Sequence, residues 1–332
     1  MRALQQIGYG NPADVVALVT LPDPTPQAGE IVIRMEAAAI HLADIKNFTG
    51  ERDFRVKALP RIPGYEGIGR VTQVGAGVTQ FKVGDRVFPW WGAGTFAELV
   101  CTPANKVMPA PEGDAVQLSL MLVNGMTSVI LLEDFAELQP GDWLVQNGAN
   151  SNCARYIIVL ARERGVRTCN IVRRPEVVDD LKALGADAVI LDSDDPFELA
   201  ERVRAATHGA TLKLGLDMVA GAASGRMARC VSDGGIVVNY GFMSGQPSQI
   251  PFHDMFQKEI TFVGMSAGRG MAKRNMNELR AIYTKLAAMI AKGDMRTAIA
   301  GTYPLDRAAD AFRHAASTGA ERDGKVILLP NA

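Results

Sequence analysis

The sequence predicts a two-domain α/β protein. A β-rich, barrel-like antiparallel domain is built from both ends of the chain, and a doubly wound parallel sheet is inserted into it. Three observations carry this expectation. The first third is dense in short β-branched runs punctuated by Gly, Pro and Asp. From Asp142 to about Ser266, strand-like and helix-like segments alternate, the pattern of a parallel sheet covered on both faces. Beyond that the texture returns to strand, helix and strand, so the chain end can rejoin the first domain.

The elements follow in order. "GEIVIRMEAAAI" (29–40), "GIGRVTQVGAGV" (67–78) and "GDRVFPWW" (84–91) read as strands with close turns. "DAVQLSLMLVNGMTSVILLEDFAEL" (114–138) has helical periodicity and stops at the turn "QPGD". Six strands are expected at 142–149, 167–174, 187–192, 212–219, 234–241 and 259–266. Helices are expected between the first five, at Ser151–Arg164, Pro175–Leu184, Pro196–Thr207 and Ala222–Val231. A helix around Asn275–Ala291 precedes "AGTYPL", "DRAADAFRHAAS" and a closing strand at 324–329. The expected domains are 1–115 with 298–332, and 116–297. Right-handed crossovers place the strand C-termini along one edge, where ligands bind.

Composition excludes several function classes. Apolar residues make up 48%, charged residues 21%, and the net charge is -1, so no overall field would attract nucleic acid or an anionic membrane. No apolar stretch approaches the roughly 20 residues that span a bilayer, and the first residues lack the apolar core of a signal peptide. Cys101, Cys153, Cys169 and Cys230 are far apart, with no C-x-x-C pair. A reduced, cytoplasmic protein acting on a small molecule is expected, without nucleic-acid or membrane partners. "KEITFVGMS" (258–266), apolar and last in the sheet, is an edge strand suited to pairing with its copy in a homodimer.

Four stretches, "GYEGIGRVTQVGAGVTQFKVGDRVF", "QPGDWLVQNGANSNCARYIIVLAR", "LKALGADAVI" and "GKVILL", stand in an order and spacing that resembles the medium-chain dehydrogenase/reductase superfamily. The resemblance implies a GroES-like catalytic domain and a Rossmann dinucleotide-binding domain. "LEDFAELQPGDWLVQNGANS" and "NIVRRPE" look most like the mitochondrial-type 2-enoyl thioester reductases, with zeta-crystallin-type quinone reductases next. The implied activity is NADPH-dependent reduction of a polarised C=C bond, of an enoyl thioester, an enone or a quinone. A cofactor-binding redox sensor without turnover is the reading from another class.

The superfamily divides on zinc. Its zinc members carry a Cys shortly before an Asp, then Gly-His-Glu. Here "IHLADIK" and "PGYEG" put His41 near the first position and Tyr65 in place of the second His. Catalytic zinc needs three protein ligands, so no metal is expected, and His41 reads as a turn or pocket-wall residue.

The phosphate-binding turn is altered. Where the enoyl reductases read Asn-Ser-Gly-Val-Gly, this chain reads Asn150, Ser151, Asn152, Cys153, Ala154. Asn tolerates a left-handed backbone best after Gly, and Ala is the smallest residue that can face a strand. Asn150 and Ser151 can cap the helix and leave its N–H groups for phosphate oxygens. At the end of the second strand, where NAD enzymes place an acid, stand Arg173 and Arg174, suited to a 2'-phosphate and hence to NADPH. By resemblance Asn124, Thr127, Tyr240, Gly241, Phe242, Met243, Met265, Ser266, Ala267 and Lys325 line the rest of the cofactor site.

The enoyl reductases carry a proton-donating Tyr just beyond the segment matching "ADIKNFTG". Arg52 falls there, and no Tyr occurs between Tyr9 and Tyr65. Arg52 is then a candidate for stabilising an enolate or binding an acidic substrate group, or it is a surface residue. Tyr65 is the alternative donor, or a packing residue. Trp90 and Trp91 read either as an apolar wall for substrate or as domain core.

Overall fold

The computed structural model of the chain describes residues 1–51, 58–317 and 324–332. It divides into two compact units, Met1–Val123 with Met276–Ala332, and Asn124–Asn275. In the first unit, β1 (Arg2–Gln6) and β2 (Val16–Thr20) form an antiparallel ribbon joined through α1 (Pro12–Val15). The long strand β3 (Glu30–Ala39) buries Ile31, Ile33 and Met35 completely. It leads into α2 (Leu42–Thr49), which ends at Gly50 with φ 70°, a left-handed cap that glycine adopts without penalty.

Next come β4 (Gly67–Val74), β5 (Arg86–Phe88), β6 (Leu99–Pro103) and β7 (Met108–Pro109). β4 crosses β3 so closely at Gly69 that an added Cβ would lie 2.3 Å from the Arg34 carbonyl oxygen. At Gly67 the added Cβ would lie 2.6 Å from the Ala37 carbonyl oxygen, so both glycines of "GIG" answer to the close approach of β3.

The single helix expected over 114–138 is broken. α3 (Ala115–Leu118) starts on the Asp114 cap, a wide π-turn covers Met121–Gly125, and α4 (Met126–Glu133) follows. Within the wide turn, the Val123 N–H donates to the buried Glu66 carboxylate at 2.6 Å. A side chain has inserted into the helical ladder there.

The inserted unit contains all six expected strands: β8 (Trp143–Gln146), β9 (Arg167–Val172), β10 (Ala188–Leu191), β11 (Leu212–Asp217), β12 (Ile236–Asn239) and β13 (Thr261–Gly264). They pair in parallel in the order β10-β9-β8-β11-β12-β13. Between them run α5 (Asn152–Glu163), α6 (Val178–Leu184), α7 (Pro196–Ala206), α8 (Ala222–Cys230) and α9 (Phe252–Phe256), and α10 (Ala267–Ala272) follows β13. Trp143, Val145, Cys169, Ile171, Leu199, Val203 and Met227 form one apolar cluster of this unit, and Ala149, Ile158, Val172 and Leu181 another. The order reverses between β8 and β11, which makes their carboxyl ends the switch point where doubly wound sheets bind ligands.

The chain then returns to the first unit through α11 (Met276–Lys292), β14 (Ile299–Pro304), α12 (Ala308–Ala316) and β15 (Lys325–Leu329). β15 joins β3 antiparallel, with Ile327 opposite Ala39, and β14 in parallel. It thereby completes a seven-stranded sheet. Phe312 of α12 packs edge-on against Phe48 of α2 at 5.1 Å, so the end of the chain closes the core over the helix that carries the candidate site.

Candidate functional site

The first candidate site lies at the carboxyl edge of the parallel sheet. β8 ends in Gln146, and the turn to α5 passes through Gly148, which has φ 56°. This corrects one expectation: the left-handed residue of the turn is Gly148, whereas Asn152 is the first residue of α5. No left-handed backbone is required of Asn152, so loss of a glycine there costs the turn nothing. Ser151 is the N-cap, its hydroxyl accepting the Ala154 N–H at 3.3 Å. Ala154 is fully buried, and its carbonyl accepts Gln146 Nε2 at 3.1 Å. The Asn150 carbonyl accepts Arg155 Nε at 3.3 Å.

Several of the residues expected in a cofactor site meet around this turn. Asn124, in the wide turn Met121–Gly125, and Thr127, in the first turn of α4, are both buried. Ser128 follows Thr127, and its one hydroxyl proton lies within reach of the Asn124 carbonyl at 2.7 Å and of the Cys153 carbonyl at 3.1 Å. The Tyr240 hydroxyl is buried beside Ser151 and Cys153. Burial pushes this phenol well above its ordinary value, with Cys153 and Asp217 adding to the effect, so it stays protonated and able to donate.

Among the described residues the buried Asn152 Nδ2 has no hydrogen-bond partner, and Tyr240 Oη, beside the Ser151 hydroxyl that can bond to its oxygen, has no acceptor for its proton. Two buried donors lacking acceptors, at the N-terminus of a helix of 12 residues, suit an anionic group. Arg173 is exposed and Arg174 half-buried, directly after β9. No acidic residue stands between the end of that strand and Glu176.

A buried carboxylate that sequence reasoning missed holds this edge together. Asp217, at the end of β11, is fully buried. Its Oδ1 accepts Asn147 Nδ2 at 2.7 Å and the N–H groups of Val219 and Ala220 at 3.0 and 3.1 Å. Its Oδ2 accepts the Ser224 hydroxyl at 2.5 Å and Asn239 Nδ2 at 3.0 Å. Asp217 thus ties together the ends of β8, β11 and β12. Gly241 fits against this clamp, since a Cβ there would stand 2.3 Å from the Met218 carbonyl oxygen.

Phe242 and Met243 follow Gly241 in the same loop. The Met243 N–H donates to the Met218 carbonyl at 3.3 Å, and the Met243 side chain is 44% exposed. Met265 follows β13, its N–H donating to the Asn239 carbonyl at 2.8 Å. Ser266 caps α10, which begins at Ala267. Lys325 stands in the other unit, as the half-buried first residue of β15.

The second candidate site is a buried polar cluster in the β-rich unit. His41 caps α2, and its Nε2 is hydrogen-bonded to Glu66 Oε1. Glu66 is fully buried and His41 is 6% exposed. The Asp44 carboxylate accepts the His41 N–H at 2.9 Å, and burial pushes it up to about 6. Asp44 Oδ1 and Arg61 Nη2 are buried without a partner. Among the described residues no group of three or more His, Cys, Asp or Glu is placed to hold a metal ion.

Tyr65 sits at the rim of this cluster, half-buried, its hydroxyl accepting Asn47 Nδ2 at 2.7 Å. Its ring lies 5.1 Å from that of Trp91, tilted by 55°. Trp90 and Trp91 are both half-buried, so neither is wholly core. Arg52 lies outside the described residues.

Comparison with known proteins adds an independent line. Residues 27–112 match the alcohol dehydrogenase GroES-like domain, and residues 184–328 match the zinc-binding dehydrogenase family. The mitochondrial enoyl-[acyl-carrier-protein] reductase of Caenorhabditis elegans is 35% identical over 305 residues, covering 89% of this chain and 86% of that protein. A putative NADPH:quinone reductase from Bacillus thuringiensis superposes with a TM-score of 0.90 at 26% identity, covering 99% and 98% of the two chains. The mycobacterial Rv1454c complexed with NADPH superposes with a TM-score of 0.85 at 26% identity, covering 99% and 100%.

Proposed function

The chain belongs to the medium-chain dehydrogenase/reductase superfamily, beside the mitochondrial enoyl-[acyl-carrier-protein] reductases, and from that membership we propose that it is an NADPH-dependent reductase of a polarised C=C bond. The substrate class we assign is a 2-enoyl thioester. One observation carries the cofactor assignment: the buried, acceptor-less donors Tyr240 Oη and Asn152 Nδ2 at the start of α5, with Arg173 and Arg174 at the end of the next strand. The donors and the α5 N-terminus suit a pyrophosphate, and the guanidinium pair suits a 2'-phosphate. NADPH, when bound, supplies the hydride. The chain's own task is to orient the substrate, to stabilise the enolate, and to deliver a proton to its α carbon. Tyr65 is the donor we assign.

We take the reaction to be zinc-independent, since Tyr65 occupies the position of a metal-binding His and His41 and Glu66 are bonded to each other. β13 is the outer strand of its sheet, with Phe262 and Val263 only half-buried, which supports a homodimer paired along that edge. Cys153, Cys169 and Cys230 are buried thiols and no cysteine is in a disulfide, which suits the reducing cytoplasm. A quinone or enone substrate is the second reading, favoured by the likeness to the putative NADPH:quinone reductase.

The test is NADPH oxidation against a panel of enoyl thioesters, enones and quinones, with and without a chelator. Turnover of enoyl thioesters, undiminished by chelator and preferring NADPH to NADH, is the expected result. Equal use of both cofactors, or tight NADPH binding without turnover of any substrate, would overturn it. Light scattering at micromolar concentration should find twice the mass of one chain, and a monomer would contradict the dimer.

A further inference from the structure

We propose that Asn47 is a positioning residue for proton delivery: its side-chain amide holds the Tyr65 hydroxyl so that the O–H is directed at substrate. The proposal rests on the assignment of Tyr65 as proton donor. A phenol carries one proton and accepts through its oxygen lone pairs. Tyr65 Oη accepts the Asn47 amide N–H at 2.7 Å and donates to no described residue. The acceptor side of the hydroxyl is therefore occupied, and no described residue takes its proton.

Asn47 is itself held from below. It is 5% exposed, on the inner face of α2. Its main-chain carbonyl accepts Gln6 Nε2 at 3.1 Å, and Gln6 Oε1 accepts Arg61 Nε at 3.0 Å. Gln6 is fully buried, and its main chain exchanges two hydrogen bonds with Arg61, at 2.8 and 3.2 Å. Arg61 thus anchors Gln6, and Gln6 anchors the Asn47 main chain from which the amide reaches Tyr65.

Tyr65 is fixed at two further points. Its carbonyl accepts the Gly92 N–H at 2.9 Å, and its ring rests on Trp91. Ring, main chain and hydroxyl are thus all restrained, and only the proton is left to transfer.

In the reaction, the substrate's β carbon gains the hydride of NADPH and the negative charge passes to the enolate. The Tyr65 O–H bond then breaks as a C–H bond forms at the α carbon. The phenolate that remains keeps the Asn47 N–H, a charge-assisted bond stronger than the one it had as a phenol. Water returns the proton before the next turnover. Asn47 therefore favours the product side of the transfer, as an oxyanion donor does.

The test reverses the polarity of one bond. Asn47→Asp keeps the shape but presents only acceptors, so the Tyr65 O–H would turn inward. Asn47→Ser shortens the side chain and removes the contact, and serves if the buried charge of the first variant prevents folding. Without cofactor or substrate, the 13C resonance of the Tyr65 phenol carbon, assigned by its loss in Tyr65→Phe, should move in both variants. With substrate, kcat should fall about 10- to 100-fold, the loss expected for one hydrogen bond to a charged group. The KM for NADPH should stay unchanged.

Combining either variant with Tyr65→Phe should cost no more than Tyr65→Phe alone. An unmoved resonance overturns the proposal. A moved resonance with unchanged kcat overturns the role in proton delivery. If Tyr65→Phe also leaves kcat unchanged, the assignment of the donor falls too, whereas a slowed Tyr65→Phe leaves that assignment standing. A chain inert to the whole substrate panel removes the reductase reading and this proposal with it.

Discussion

Asp44 gives the protein a stability that falls as the pH rises. Its carboxyl group is fully buried, accepts one hydrogen bond from the His41 N–H, and has one oxygen with no partner. Burial raises it from 3.8 to about 6, against the opposing pull of His41 and Arg61. The folded state therefore holds the proton more tightly than the unfolded chain does. The stabilisation is fully present below pH 3.8 and is lost as the pH rises through about 6. At 1.36 kcal/mol per pH unit, the interval from 3.8 to about 6 corresponds to about 3 kcal/mol.

Asp44→Asn removes the titration and keeps an oxygen to accept the His41 N–H. The two proteins should be close in stability at pH 4, and the variant should be more stable by about 2–3 kcal/mol at pH 8. Urea unfolding of both proteins at half-unit intervals from pH 4 to 8 measures the difference. Titrating groups that do not interact with Asp44 cancel in that difference. A gap that stays constant with pH would refute the reasoning. So would an Asn variant that is the less stable one at pH 8, because it would mean that the ionised carboxylate is satisfied by groups other than those named.

Three further outcomes are expected. Replacing Arg173 and Arg174 by Ala should raise the KM for NADPH by about 10-fold or more and leave that for NADH nearly unchanged; parallel losses for both cofactors would dissociate the pair from the 2'-phosphate. Asp217→Asn puts an amide where five donors now point, so it should cost about 2–4 kcal/mol in urea unfolding and weaken NADPH binding in a fluorescence titration; a variant with native stability would show that the clamp is dispensable. Ala220 has φ 64° beside that clamp, a left-handed conformation that costs a non-glycine residue about 1–2 kcal/mol. Ala220→Gly should therefore gain up to about 1 kcal/mol after the added freedom of the unfolded chain is deducted, and a lowered Tm would contradict the strain.

Local spacing determined much of this protein by itself. Strand–helix alternation from Asp142 onward, the Ser151 cap and the return of residues 324–329 to the first unit were all legible, because each depends on periodicity, capping chemistry or turn residues within a few positions. The basic pair after β9 was legible for the same reason, since a strand end is visible in sequence.

The rest was decided only by tertiary structure. The bond from Asn147 to Asp217 spans 70 positions and exists because β8 and β11 are neighbours in the sheet. The Val123 N–H reaches Glu66 across 57 positions and opens the helix expected over 114–138. The turn places its left-handed residue at Gly148, four residues before the glycine position that the motif suggested at Asn152. Asn47 and Tyr65 are 18 positions apart, with nothing in the intervening chain to signal a contact. A buried polar group must find its partner wherever the fold brings one within hydrogen-bond reach, and that proximity is a property of strand order and packing rather than of any local pattern.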